Sequence, residues 1–92
     1  MGLRGRPKLR RLAEKLLQIR LALGLSQDGM LRRLGLEERY FRSAVSSYEL
    51  GAREPALPVI LQYARVAGVC TDVLLDDELD LPDKLPAKPK HS

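Results

Sequence analysis

The chain has little of what disulfide-bonded, aromatic-rich or membrane-spanning proteins depend on. It contains no Trp, one Phe and three Tyr in 92 residues, so its core has to be aliphatic. A single cysteine, Cys70, excludes an internal disulfide framework and favours a reducing cytoplasm; we expect it to be a small core residue. No apolar run approaches the roughly 20 residues that span a bilayer. So short a chain leaves little room for a walled catalytic pocket, which favours one binding domain over an enzyme.

The net charge of +4 is unevenly distributed along the chain. Residues 1–25 carry seven basic residues against one acidic residue, whereas residues 26–55 carry five of each. Residues 56–92 carry four basic and six acidic residues. A basic head on a neutral-to-acidic body favours an electrostatic contact made by the N-terminal end, with a polyanion as the natural partner. A basic face that only aids solubility is the alternative.

Apolar spacing predicts an all-α fold of five short helices, because alternation typical of strands is absent. The first helix runs from Leu9 to Leu23, and the second starts at Ser26 as its N-cap and stops at Gly35. The third covers Leu36 to Leu50, with four candidates for burial: Phe41, Val45, Tyr48 and Leu50. The fourth has Pro58 in its first turn and ends at Gly68, and the fifth runs from a Thr71 cap to Leu75.

Composition divides the chain into three parts. Residues 1–8 contain two glycines and a proline among basic residues, which predicts a flexible basic arm. Residues 9–76 form the helical body. Residues 77–92 are acidic and proline-rich, which predicts a disordered tail.

Five short motifs in register resemble the phage-repressor-type (Cro/cI, Xre-like) helix-turn-helix regulators, over about residues 12–76. They are Leu23–Gln27, Leu34–Leu36, Val45–Glu49, Gly51–Pro55, and Ala67–Val69 with Thr71, Leu74 and Leu75. The resemblance implies a compact, lambda-repressor-like five-helix bundle that binds double-stranded DNA as a homodimer, with its third helix in the major groove. It also implies a transcriptional regulator, expected to be a repressor, in the nucleoid and cytoplasm of a bacterium or its phage.

The resemblance assigns DNA contacts residue by residue. Ser26 and Gln27, at the start of the second helix, match residues that contact the DNA backbone, and Arg53 matches those that grip flanking phosphates. Base contacts fall on Arg42, Ser43, Ser46 and Ser47. Arg20 and Glu49 match a partly buried ion pair that joins the first helix to the third and positions the recognition helix.

The chain departs from the family between Leu36 and Val45. Eight residues lie there, where the family has about four, and the difference is close to one helical turn. Either the recognition helix begins a turn early, near Glu37, or the turn is an enlarged loop. The departure adds Arg39 and Tyr40 to the candidates for base contact.

A second resemblance lies in the arm. The run of Arg4, Gly5, Arg6, Pro7 and Lys8 is similar to the AT-hook core, which lies in the narrow minor groove of A·T-rich DNA. The physics fits, because glycine lets the backbone sit deep, proline keeps it extended, and the arginines enter the enhanced negative potential. A terminus that only solubilises the chain is the alternative.

Other function classes receive less support from the residues. An interaction module, such as the antitoxin of a toxin–antitoxin pair, would fold the tail on a partner protein. We expect no membrane partner, because a membrane-bound first helix would leave the other helices without their core partner. We also expect no catalysis, no cofactor and no metal site, because Ser46 and Ser47 lack a histidine base and His91 lacks partner ligands.

Overall fold

The structure is a computed structural model that describes residues 9–86. The predictions for the arm, residues 1–8, and for residues 87–92 of the tail lie outside the described residues. The fold is all-α, as predicted, and no strand occurs in residues 9–86. Its five helices are α1 (Leu12–Ala22), α2 (Gln27–Arg33), α3 (Arg42–Leu50), α4 (Leu57–Ala67) and α5 (Thr71–Leu75).

Helix α1 is the centre of the packing, since it contacts α3, α4 and α5. Its inward side chains Leu16 and Ile19 are fully buried, and so are Val45 of α3 and Leu74 of α5. The core is aliphatic, as the lack of aromatic residues predicts, with two buried tyrosines added, Tyr48 and Tyr63. Burial of an aliphatic side chain contributes roughly 1.5–3 kcal/mol, so this cluster is the main source of stability for the short helices.

Local sequence explains most of the helix ends. Ser26 caps α2, because its Oγ accepts a hydrogen bond from the Gly29 backbone N–H at 2.9 Å. Helices α3 and α4 end at Gly51 and Gly68, whose φ values of 75° and 78° lie in the left-handed region that glycine adopts without a steric penalty. Pro58 lies in the first turn of α4, where its missing N–H leaves no helical hydrogen bond unmade.

Three helix starts differ from the prediction. Helix α1 begins at Leu12 rather than Leu9, because the backbone N–H groups of Arg10 and Arg11 donate to the Asp77 carboxylate instead. Helix α3 begins at Arg42 rather than Leu36, after a turn described below. Helix α5 begins at Thr71 without a side-chain cap, and Cys70 occupies the N-cap position.

Three residues predicted to be buried are exposed. Phe41 is 82% exposed, because it precedes α3 in extended backbone and is not on the helix's inner face. Leu50 is 78% exposed; five residues after Val45, it lies about 140° around the helix from that core residue. Cys70 is also exposed, at the N-cap position of α5.

Residues 77–86 lie against the helical body, which differs from the prediction of a disordered tail. The Arg11 guanidinium donates to the carbonyls of Asp77 at 2.8 Å and Leu79 at 3.3 Å. Leu81 and Leu85 pack against the core. The Asp80 carboxylate pairs with the same guanidinium, so this acidic segment is complementary to Arg11, the N-cap residue of α1, and apolar side chains hold its second half.

Lys15 on α1 is a buried charge that the apolar pattern does not reveal. Its side chain is fully buried, and its ammonium donates to the carbonyls of Val73 at 2.7 Å and Asp76 at 3.0 Å. Both carbonyls belong to the C-terminal end of α5, where helical acceptors lack partners. Burial, and then the nearby charge of Arg11, lower the pKa of Lys15 below its ordinary value.

Tyr63 is the largest fully buried side chain in the core. Its hydroxyl has no hydrogen-bond partner among residues 9–86. Burial, and secondarily the negative charge of Glu49, raise the pKa of Tyr63 well above its ordinary value. A buried hydroxyl without a partner costs free energy that a phenyl ring would not.

At pH 7 we expect the free energy of unfolding of Tyr63→Phe to equal that of the unsubstituted protein or to exceed it by up to about 1 kcal/mol. Because the folded pKa of Tyr63 is raised, the phenol ionises more readily in the unfolded chain. The stability of the unsubstituted protein therefore does not change with this group below the unfolded pKa near 10, and falls as pH rises above it. The advantage of the variant should therefore grow above pH 10 in urea titrations. Tyr40→Phe, at a half-buried tyrosine, is the control. A loss of more than about 1 kcal/mol at pH 7 would reveal a hydrogen-bond partner for the hydroxyl.

Candidate nucleic-acid interface

Three helices meet at the carboxylate of Glu49, near the end of α3. Arg20 of α1 donates to it twice, from Nε to Oε2 at 2.6 Å and from Nη2 to Oε1 at 3.1 Å. Gln27 of α2 donates a third hydrogen bond, from Nε2 to Oε1 at 3.2 Å. Arg20 also reaches the Leu25 carbonyl through Nη1 at 3.0 Å. The ion pair predicted for Arg20 and Glu49 is therefore present, and Gln27 extends it to α2.

This cluster, the Glu49 clamp (Arg20, Gln27 and Glu49), is well shielded from water. The Glu49 side chain is 5% exposed and that of Arg20 is 16% exposed. The hydrogen bonds to Glu49 raise the pKa of Arg20, with burial opposing them. Bidentate arginine–carboxylate geometry fixes orientation as well as distance, and the clamp therefore determines how α3 is turned relative to α1 and α2.

Helix α3 divides into an inner and an outer side. The inner side packs on the core through three buried residues: Ala44, Val45 and Tyr48. The outer side carries the residues predicted to contact bases: Arg42 and Ser43 are exposed, and Ser46 and Ser47 are half-buried. The structure thus brings these four residues together on one outward surface, hereafter the α3 outer face.

The departure between Leu36 and Val45 takes the form of an enlarged turn. The N–H groups of Arg39 and Tyr40 both donate to the Leu36 carbonyl, at 3.0 Å each, which closes a turn ahead of α3. Tyr40 is half-buried and packs against the core, while Arg39 is exposed. Of the two candidates that this departure added, Arg39 is the one whose side chain is directed mainly to solvent.

The remaining candidates for backbone contact lie around α3. Ser26 uses its hydroxyl as the cap of α2, and Gln27 uses its amide nitrogen in the Glu49 clamp. Arg53 is exposed in the loop after α3, where its backbone N–H donates to the Ser47 carbonyl at 3.3 Å. The minor-groove candidates Arg4, Gly5, Arg6, Pro7 and Lys8 lie outside the described residues.

One contact of Arg42, with Asp28 of α2, was not predicted from the sequence. The Asp28 carboxylate lies 3.7 Å from Arg42 Nη1, with side chains 53% and 70% exposed. At that exposure the pair contributes little stability. It does hold the guanidinium near the first turn of α2, and no helical spacing within one element would have revealed it.

Comparisons with protein-family models, with curated proteins and with solved structures find no match. Within residues 9–86, no helix is both long and apolar enough to cross a membrane. The same residues contain no group of three or more His, Cys, Asp or Glu side chains that could hold a metal ion. The assignment of a function therefore depends on the chain's own surfaces.

We expect Glu49→Gln to lower the free energy of unfolding by about 3 kcal/mol, because it leaves the buried Arg20 guanidinium without its counter-charge. Glu38→Gln, which neutralises an exposed carboxylate in the turn before α3, is the control and should change stability by less than about 0.5 kcal/mol. Urea denaturation measures both.

A double-variant cycle separates the ion pair from simple loss of packing. Arg20→Met combined with Glu49→Leu should cost clearly less than the sum of the two single changes, because the double variant leaves no unpaired buried charge. Additive costs would show that the two side chains do not stabilise each other.

Proposed function

We propose that the chain is a sequence-specific DNA-binding transcriptional regulator in which α2 and α3 form a helix-turn-helix. In this proposal α3 lies in the major groove and the chain represses transcription. The observation that carries it is the α3 outer face, a cluster of one arginine and three serines on a helix whose orientation is held by the Glu49 clamp. A helix that reads bases needs polar side chains outward and a rigid attachment behind them.

The chemistry of the α3 outer face suits base edges. An arginine can grip guanine O6 and N7 with two hydrogen bonds, and a serine hydroxyl can donate or accept at either base. Nine residues of α3 extend over about 13 Å, or roughly four base-pair steps. One copy would therefore read only a short half-site. A homodimer with two half-sites about 34 Å apart would supply the specificity that one copy lacks.

The distribution of charge favours different roles for the body and the arm, with base contacts made by α3 and most of the electrostatic affinity supplied by residues 1–8. Residues 9–86 contain eleven basic and twelve acidic residues, so the described body has a net charge of −1. Arg39, Arg42 and Arg53 are exposed on or beside α3, but so are the carboxylates of Asp28, Glu37 and Glu38. The body therefore supplies little non-specific attraction to DNA. The three cations of residues 1–8 would add affinity through an AT-hook-like contact in the minor groove.

The antitoxin alternative required a tail that is free to fold on a partner protein. Residues 77–86 already use their carbonyls and their apolar side chains on the chain's own helices. No observation on this segment favours a partner-bound state, so we do not advance a second function.

Selection from random DNA duplexes at physiological salt should enrich a motif with related half-sites. Arg42→Ala should then relax preference at particular base pairs, by about 1–3 kcal/mol of discrimination at each. Arg65→Ala, at an exposed arginine of α4, is the matched control and should leave the motif unchanged. Enrichment of no motif would contradict sequence-specific binding.

Neutralising the arm should weaken binding to every duplex, without altering the motif. Arg4→Gln/Arg6→Gln removes two proposed phosphate-region contacts, so the slope of log affinity against log salt should fall by about two. Lys88→Gln/Lys90→Gln removes the same charge from the other end of the chain. Titrations at several salt concentrations compare the two, and equal effects would show that the arm acts only through net charge.

A further inference from the structure

An open cleft of about 810 Å³ lies between the loop before α4, the start of α4, α5 and residues 76–78. Its apolar lining includes Pro55, Leu57, Ile60 and Leu75. Leu57 is 63% exposed, so a large apolar side chain faces solvent at this place. The volume falls within the roughly 300–1,000 Å³ typical of ligand sites. No residue of α2 or α3 is among the described residues that line the cleft, so it is separate from the α3 outer face.

The charge around the cleft has one sign. Among residues 9–86, its lining includes no lysine or arginine but five carboxylates: Glu54, Asp72, Asp76, Asp77 and Glu78. Asp77 is occupied by the backbone N–H groups of Arg10 and Arg11. Asp72, Asp76 and Glu78 are exposed and form no ion pair with another described residue. An apolar floor with an acidic rim fits a segment that carries an apolar side chain flanked by cations.

We infer that the cleft binds residues 1–8 of the same chain. Leu9 is itself a lining residue, so this segment joins the described body at the edge of the cleft. It contains the complementary chemistry, with Leu3 near Arg4, Arg6 and Lys8. Leu3 lies six residues before Leu9, which allows a reach of about 20 Å. A tether this short gives a millimolar effective concentration, so weak contacts suffice for docking.

Docking gives the cations of the arm two competing anionic partners. The carboxylates of the cleft and the phosphates of DNA cannot engage the same guanidinium groups at once. The cleft would therefore hold the arm when DNA is absent and lower the net affinity gained from the arm when DNA is bound. The docking itself does not depend on the DNA-binding proposal, and it is tested without DNA.

Methyl NMR of the full-length, isotope-labelled chain tests the docking directly. We expect nuclear Overhauser contacts between Leu3 and the Leu57 or Leu75 methyl groups. Arg4→Gln/Arg6→Gln/Lys8→Gln should move the Leu57 and Leu75 resonances toward the undocked position, whereas Lys84→Gln/Lys88→Gln/Lys90→Gln removes equal charge and should not. A salt concentration of 1 M should have the same effect as the arm variant, because the Debye length is then only about 3 Å and attraction between exposed charges is largely screened.

The cleft side provides a second, independent variant. Asp72→Asn/Glu78→Gln should lower the ratio of docked to undocked arm roughly threefold to tenfold, and Glu37→Gln/Glu38→Gln, in the turn before α3, should leave it unchanged. If the cleft variant fails to fold, the arm variant still decides, because its changes lie outside the described body. Absence of the Leu3 contacts, or unchanged cleft resonances in the arm variant, would overturn the inference. Contacts that disappear on dilution would also overturn it, by assigning the cleft to a second copy's arm.

Discussion

The buried carboxylate of Glu49 is the constraint on which the arrangement of the other elements depends. Its three hydrogen bonds come from α1 and α2 while the carboxylate itself belongs to α3. A carboxylate at 5% exposure is tolerated only when it is paired and hydrogen-bonded. Arg20 supplies the counter-charge and Gln27 a further hydrogen bond, so the end of α3 is attached to both α1 and α2. The hydrophobic core sets how tightly the helices pack and which side of α3 faces inward, but apolar contacts are non-directional. The clamp adds directional hydrogen bonds to that packing.

A second set of contacts joins the end of α5 and residues 77–86 to α1 and its N-cap residue Arg11. Lys15 loses its hydration on burial, and the carbonyls of Val73 and Asp76 replace the lost water. Arg11 then engages the carbonyls of the following residues, so one side of α1 is used by this segment. Together with Asp77, which receives the N–H groups that precede α1, these contacts join the two ends of the described chain. They also create the edge of the acidic cleft, because residues 76–78 contribute three of its carboxylates.

How far the sequence predicts this molecule depends on whether the signal is local. Helix ends are set within one turn of the chain by Ser26, Pro58 and the glycines after α3 and α4, so the sequence alone predicts them. Apolar spacing likewise predicts the inner sides of α1 and α4. Lys15 and Arg11 could not be interpreted in the same way, because a charged residue on a helix usually faces solvent, and their acceptors are backbone carbonyls about 60 residues away. The prediction for Phe41 is wrong for the opposite reason. Its apolar character suggests burial, but the turn after Leu36 places it just before α3 and outside the helix. The pairing of Arg20 with Glu49 followed from a family resemblance, not from spacing.

The net charge of +4 is an average over parts of the chain that differ in charge. The described body is slightly acidic, with carboxylates gathered around the cleft and balanced charges around α3. A polyanion approaching the body would be repelled at the cleft, which favours its approach from other sides. In the proposed function, specificity would depend on the few side chains of the α3 outer face, since salt-dependent charge contacts add affinity without distinguishing sequences. If the cleft binds residues 1–8 in the free protein, those cations are less available to DNA. The non-specific part of the DNA affinity is then reduced more than the part that comes from base contacts. The proposed regulator, with so short a helix in the major groove, would gain from that, because weaker non-specific binding leaves the base contacts a larger share of the total binding free energy.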